Sequence, residues 1–329
     1  MGEAAGTRNV RIDSVKGGLM ILVIFGHLLE PLKAKSPLYM AIYSSIYVFH
    51  MPLFVITAGM FSKESLEPRD YRSIVSRFLI PLAICQILYL VWAAVRSGNP
   101  AAETLRPHWI LWFLLSMTMW KLILPLIVKI RYGMAVVVLL ALLAGYDAEI
   151  GYAFSLSRTI YFFPFFLLGF QYRDRLLASM SSHRWLKALA LGAISIAIAW
   201  WSLHGLVHRA LYGSHGYDTA SVLAQAPMAG RAIMLTISLI AALAALSLMS
   251  VRWRFLAYLG QRSFAIFVLH AIFVIAFEKL HMQPTPALLP GLLALSVFIA
   301  AITAFCEPLL TRISEKVADM FLSQPNVVR

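Results

Sequence analysis

A lysine and a histidine eleven residues apart carry the most pointed chemistry in this chain. They lie in Arg11-Ile-Asp13-Ser-Val-Lys16-Gly17-Gly18-Leu-Met-Ile-Leu-Val-Ile-Phe-Gly-His27. On an α-helix, eleven steps of about 100° return to nearly the same face, and at about 1.5 Å per residue they advance roughly 16 Å. A lysine at the rim of an apolar run therefore shares a stripe with an imidazole about halfway across a ~30 Å hydrocarbon layer. An ionisable group at that depth is costly and marks function. Imidazole takes up and returns a proton near neutral pH, which is the task of a general base. Fourteen residues separate Asp13 from His27, so Asp13 falls about 40° off the same stripe. Asp13 and Lys16 together read as a mouth for an anionic ligand.

Other candidates follow along the chain. His50 sits near the middle of the next apolar run, at a depth like that of His27. Pro52 frees the carbonyl of Val48 and predicts a kink there. Arg69, Arg72 and Arg77 cluster before Pro81, and arginine grips phosphate in a fork. His108, Trp109 and Trp112 could form a stacking floor for a sugar, and Asp147, Glu149 and Arg158 could bond its hydroxyls. His270 lies in a late apolar run, Ser263-Phe-Ala-Ile-Phe-Val-Leu-His270. The chain carries no Gly-rich phosphate loop, no zinc-type His/Cys spacing and no Gly-x-Ser-x-Gly elbow.

The elements that must hold these residues are membrane helices. The chain has 329 residues, 60% hydrophobic and 13% charged, with a mean hydropathy of +0.78. A soluble domain has about 25% charged residues. Ten spans are predicted, about 15–32, 39–61, 74–95, 109–128, 132–146, 152–171, 186–206, 229–250, 255–277 and 288–310. The expectation is an all-α polytopic membrane protein of about ten transmembrane helices around a central polar cavity. It is read as one domain over 1–329, with no appended soluble domain. The net charge of +13 is scattered between apolar runs, which argues against nucleic acid as partner. Alternate loops hold nineteen basic residues on one side and eight on the other. Both termini are therefore expected in the cytoplasm, in a multi-pass cytoplasmic (inner) membrane protein. Cys85 and Cys306 lie in apolar runs, which speaks against a disulfide framework and against a thiolate metal site.

At several points the chain resembles the acyltransferase 3 family of integral membrane acyltransferases, and most nearly its sugar O-acetylase branch. The likeness rests on Asp13-Ser-Val-Lys16-Gly through His27, on Phe49-His50-Met51-Pro52-Leu53-Phe54 with Ala58-Gly59, and on Arg77-Phe-Leu-Ile-Pro81. It continues in Trp109-Ile-Leu-Trp112-Phe113-Leu114, Phe166-Leu-Leu-Gly169-Phe170 and Leu259-Gly260-Gln-Arg-Ser263 leading to His270. The resemblance implies an O-acyltransferase moving an acyl group, acetyl above all, from cytoplasmic acyl-CoA to a glycan hydroxyl on the outer side, with no metal. It casts Lys16 and His27 as the family's basic residue and intramembrane histidine. Arg77 matches the family's arginine pair, and its partner would be Arg72 at a wider spacing. Joined to the reading above, it makes His27 and His50 the catalytic pair and Asp13, Lys16, Arg72 and Arg77 the donor site. His108, Trp109, Trp112, Arg158 and His270 are left for the acceptor. A different class remains open, a transporter or flippase for a lipid-linked sugar with His27 as proton relay.

Overall fold

The apolar runs become helices because no other element satisfies every backbone group inside lipid except a closed barrel. The computed structural model describes residues 9–97, 107, 109–147, 150–151, 153–205, 207–217, 223 and 225–322, and among these there is no strand. In chain order the helices are α1 (Val10–Leu29), α2 (Pro37–Tyr47), α3 (His50–Gly59), α4 (Pro68–Ile74), α5 (Ile80–Ser97), α6 (Trp112–Ile127), α7 (Gly133–Leu143) and α8 (Leu156–Gln171). They continue as α9 (Arg173–Ser179), α10 (Arg184–His204), α11 (Val207–Ala210), α12 (Pro227–Met249), α13 (Arg254–Gln261), α14 (Ser263–Glu278), α15 (Leu288–Ala304) and α16 (Glu307–Leu322).

Among the described residues, seven stretches are long and apolar enough to cross a membrane: Val10–Leu29, Pro37–Gly59, Pro68–Val91, Trp109–Ile127, Ala153–Gln171, Arg184–His204 and Pro227–Met249. Two bent pairs, α13 with α14 at 83° and α15 with α16 at 49°, raise the number to nine. The fifth expected span differs. Helix α7 has 11 residues, about 16 Å of rise, or half of a ~30 Å core. The chain is an all-α polytopic membrane protein.

Local chemistry sets the ends that matter. Helix α1 begins where the Asn9 side chain accepts the backbone N–H groups of Arg11 and Ile12, at 3.0 and 3.4 Å. It then runs unbroken through Lys16 and His27. Helix α2 stops at Tyr47 and α3 starts at His50, the break that Pro52 predicts by leaving the Val48 carbonyl without its i+4 donor. Helix α4 opens with a capping box between Glu67 and Asp70, and Val75–Leu79 continues it as a π turn.

Contacts group the chain into two compact units. The first comprises Met1–Thr57, Arg173–His204 and Thr236–Glu307, and the second comprises Ala58–Tyr172, Gly205–Leu235 and Pro308–Arg329. In the first, α1 packs on α2, α13, α14 and α15, and α10 packs on α2. Its closest crossing is glycine on glycine. A Cβ at Gly17 would land on the Leu256 carbonyl, and one at Gly260 on the Asp13 carbonyl. Small residues let membrane helices approach at the backbone, where lipid offers no hydrophobic drive between them. In the second unit α8 packs on α6 and α7. Trp120 donates from Nε1 to the Thr159 carbonyl at 2.8 Å, and the Ser116 and Thr159 hydroxyls bond at 2.7 Å.

Candidate functional site

His27 occupies the last turn of α1, one turn before Glu30 caps the helix. Residues three apart share a helix face, so the two side chains meet. His27 Nδ1 lies 3.3 Å from Glu30 Oε2. A carboxylate only accepts, so Nδ1 carries the hydrogen and Nε2 is left as the basic nitrogen. The Glu30 carboxylate is held from its other side as well. Lys33 Nζ donates to Oε1 at 3.2 Å, and the Tyr43 hydroxyl lies 3.4 Å from the same oxygen. Burial pushes the Glu30 carboxyl up. The bond from His27, the charge of His27 and the Lys33 ammonium outweigh it and hold the group at about 2, below its ordinary 4.5. Glu30 is therefore an anion at neutral pH.

Two further histidines join this cluster within the first unit. The His270 ring stacks on His27 with centroids 5.6 Å apart and planes at 25°. His270 Nδ1 donates to the Ile266 carbonyl at 3.0 Å, and its buried Nε2 has no hydrogen-bond partner. By the same logic as for His27, that nitrogen is an unprotonated acceptor. His50 is tied in through rings: Tyr43 stacks on Tyr47 at 3.9 Å, and Tyr47 meets His50 edge-on at 4.4 Å. His50 Nδ1 is engaged by the Ile46 carbonyl at 3.0 Å. Gly26 makes room for Tyr47, since a Cβ there would come within 3.1 Å of that ring. The His27 side chain is 13% exposed, so most of it is covered by its neighbours, Glu30 and the His270 ring among them.

The remaining predicted residues fall into separate groups. Lys16 is half-buried on α1. Asp13 is buried and accepts from Gln261 Nε2 at 3.2 Å. Both belong to the first unit, whereas Arg72 and Arg77 belong to the second. There Arg69, Arg72, Arg77, Ser73, Ser76 and Glu315 line an open cavity of about 360 Å³. A five-residue step between two arginines would place them on different faces of an ordinary α-helix. The Val75–Leu79 π turn closes i→i+5 bonds, and the wider turn lets both reach one cavity. Arg77 also lines a neighbouring cavity of about 230 Å³ with Lys63, Asp70 and Lys121. Arg72 pairs with Asp319 of α16.

Trp112 and Arg158 come together. The guanidinium lies 5.1 Å from the indole centroid, and Trp112 stacks on Phe162 at 5.5 Å. Trp109 adopts φ 41°, and Phe154 and Ser155 adopt φ 49° and 54°. These left-handed conformations are strained for side chains of that size. They end the segments that deliver Trp112 and Arg158. His108 and Glu149 lie outside the described residues. No group of three His, Cys, Asp or Glu side chains suited to a metal is found among the described residues.

Sequence reasoning missed Glu30, Lys33, Tyr43 and Tyr47. The first two carried a signal, the i, i+3 spacing from His27 to Glu30 to Lys33. The tyrosines carried only their spacing from His50, because the contact of Tyr43 with Glu30 depends on how α2 packs.

The fold is that of an all-α polytopic membrane protein, with a carboxylate-anchored imidazole in its first unit and an arginine-lined cavity in its second. The chain belongs to the acyltransferase 3 family, matched as an acyltransferase domain over residues 9–305. It is 29% identical over 133 residues to nodulation protein NolL of Sinorhizobium fredii, covering 34% of this chain and 35% of that protein. It is 29% identical over 127 residues to nodulation protein NolL of Mesorhizobium japonicum, covering 33% of this chain and 34% of that protein. The chain thus matches about a third of the length of these relatives. No solved structure matches it at a significant level.

Proposed function

We propose that this protein transfers an acyl group, acetyl in the first instance, from cytoplasmic acyl-CoA to a hydroxyl of a glycan at the outer face of the cytoplasmic membrane. Family membership supports acyl transfer. The observation that carries the residue assignment is the bond between His27 Nδ1 and the Glu30 carboxylate. It fixes the tautomer whose Nε2 can take a proton, the arrangement that serves hydrolytic triads.

In this reading the acceptor hydroxyl gives its proton to His27 Nε2 as its oxygen attacks the thioester carbonyl. The acyl–oxygen bond forms, the carbon–sulfur bond breaks, and the departing thiolate takes the proton back from the imidazolium. Glu30 stabilises that imidazolium without leaving its place. The unpartnered, buried Nε2 of His270 accepts a hydrogen bond from the acceptor hydroxyl brought to His27, and His50 supports the cluster through Tyr47. In the first unit Lys16, with Asp13 beside it, meets the phosphates of the donor, whose thin pantetheine arm suits the roughly 16 Å from Lys16 to His27; in the second unit the Arg72–Arg77 cavity offers donor phosphates a binding place of its own. Trp109, Trp112 and Arg158 hold the sugar. His27→Ala in a well-expressed, folded protein abolishes most acyl transfer to glycan, read by mass analysis of surface glycans. Wild-type acylation by that variant overturns the assignment.

A further inference from the structure

Arg231 is the most deeply buried cation among the described residues of the second unit, at 9% exposure. It lies one turn inside α12. Its guanidinium donates from Nη1 to the Ala141 carbonyl at 3.1 Å and from Nη2 to the His215 carbonyl at 2.8 Å. The Tyr217 ring lies 4.5 Å from it and the Tyr161 ring 5.6 Å. All of these partners are neutral. Among the described residues no carboxylate pairs with Arg231. Carbonyls and ring faces satisfy N–H groups, but they leave a whole positive charge out of water, and buried charges are ordinarily paired.

A second observation points to the same place. Tyr161, 3% exposed, has a hydroxyl with no hydrogen-bond partner. Tyr161 and Arg231 line one small cavity with His215 and Tyr217, and its volume of about 10 Å³ admits a single water-sized particle. A water would satisfy the phenol and leave the charge uncompensated. An anion answers both, accepting from the Tyr161 O–H and from a guanidinium N–H still available.

We propose that this cavity binds one small inorganic anion of halide size, such as chloride, between the Arg231 guanidinium and the Tyr161 hydroxyl. A halide needs only a small outward shift of the side chains that line this cavity, whereas sulfate and phosphate would have to displace its walls. The anion completes a clamp on the segment ahead of α12. Ser157 Oγ already donates to the Gly213 carbonyl at 2.8 Å, and the Tyr217 hydroxyl donates to the Leu142 carbonyl at 2.6 Å. Arg231 holds His215 between these two anchors. The site is independent of the acyl-transfer reading, and neither stands or falls with the other.

The experiment uses the full-length protein in mild detergent with chloride replaced by gluconate. Thermal unfolding is followed while sodium chloride, bromide, acetate or sulfate is added at matched ionic strength. A ligand that binds only the folded state raises the midpoint in a saturable way. Chloride and bromide raise it and sulfate does not. Tyr161→Phe keeps the ring, removes the hydroxyl and raises the half-saturating chloride concentration about tenfold or more. Tyr132→Phe, an exposed tyrosine outside the cavity lining, keeps the wild-type half-saturation. A bromide anomalous peak beside Arg231 in wild-type crystals supports the site even where Tyr161→Phe fails to fold. No halide dependence, equal effects of sulfate and chloride, a stronger effect of acetate, a Tyr161→Phe titration like the wild type, or no bromide peak beside Arg231 overturns the proposal.

Discussion

Glu30 accepts from His27 Nδ1 at 3.3 Å while Lys33 holds its other oxygen at 3.2 Å. The carboxylate therefore both orients the imidazole and stays charged. The three side chains come from one helix end and the turn after it, so the relationship needs no long-range packing to form. Glu30→Gln preserves the shape and can present an amide N–H to Nδ1, which favours the wrong tautomer. We expect His27→Ala to lower the rate of acyl transfer by ~10²–10⁴ and Glu30→Gln to cost a substantial part of that. The double variant falls no further than His27→Ala, because residues acting as a unit are not additive. Single-turnover transfer of radiolabelled acetyl measures all three, and full additivity would separate Glu30 from His27.

The same carboxylate makes stability depend on pH in a stated window. Burial pushes Glu30 up, the His27 bond and the charges of His27 and Lys33 outweigh it, and the folded group sits at about 2 against 4.5 unperturbed. A carboxyl lowered on folding contributes stability that is complete above its unfolded value and is lost as pH falls through the folded one. Between about pH 4.5 and 2 the wild type loses this contribution progressively. Glu30→Gln has none to lose, so its unfolding midpoint in detergent falls less across that interval. Parallel curves for the two proteins would deny Glu30 this role.

Backbone approach between α1 and α13 gives a sharper stability test. A Cβ at Gly260 meets the Asp13 carbonyl, and one at Gly17 meets the Leu256 carbonyl, while a Cβ at Gly192 on α10 meets nothing within 4 Å. Backbone cannot rotate away as a side chain can. Gly17→Ala and Gly260→Ala should each destabilise by about 1–3 kcal/mol or more, as overpacked sites do. Gly192→Ala should be neutral or stabilising by up to ~1 kcal/mol from helix propensity. Thermal or denaturant unfolding of the three variants in detergent ranks them, and a Gly192→Ala loss equal to the others would contradict the crossing.

The sequence already showed what depends on one helix. Lys16 and His27 share a stripe because α1 runs unbroken, and the Val48 break follows from Pro52. Where function depends on packing between elements, the pattern was silent. His270 reaches His27 from a helix 243 residues away in sequence, and no periodicity announces that stack. Arg231 and Tyr161 meet for the same kind of reason. The π turn was also hidden. Val75–Leu79 reads as an ordinary apolar helix start, so the Arg72–Arg77 spacing looked too wide for a pair. Helix α7 looked like a span because hydropathy counts apolar residues and not where Tyr132 and Ala144 end the helix.

Arg72 presents the last test, because its charge is already engaged. It pairs with Asp319, and Glu315, one turn earlier on α16, lines the cavity shared by Arg69, Arg72 and Arg77. Both sides of the pair are about half exposed, 54% for Arg72 and 50% for Asp319, so the pair itself contributes little to stability, roughly 0–1 kcal/mol. Its consequence is competition. An anionic donor arriving at the arginines must displace the Asp319 carboxylate from Arg72. Asp319→Asn should therefore lower the KM for acetyl-CoA severalfold with kcat little changed, whereas Arg77→Ala raises that KM, and Arg72→Ala raises it and cancels the benefit of Asp319→Asn. Added salt should weaken donor binding in the wild type, since these charges are open to solvent. Steady-state kinetics in vesicles across donor concentrations measure each value. Equal KM values for wild type, Asp319→Asn and Arg77→Ala would remove this cavity from donor binding and leave the α16 carboxylates as a surface ion pair.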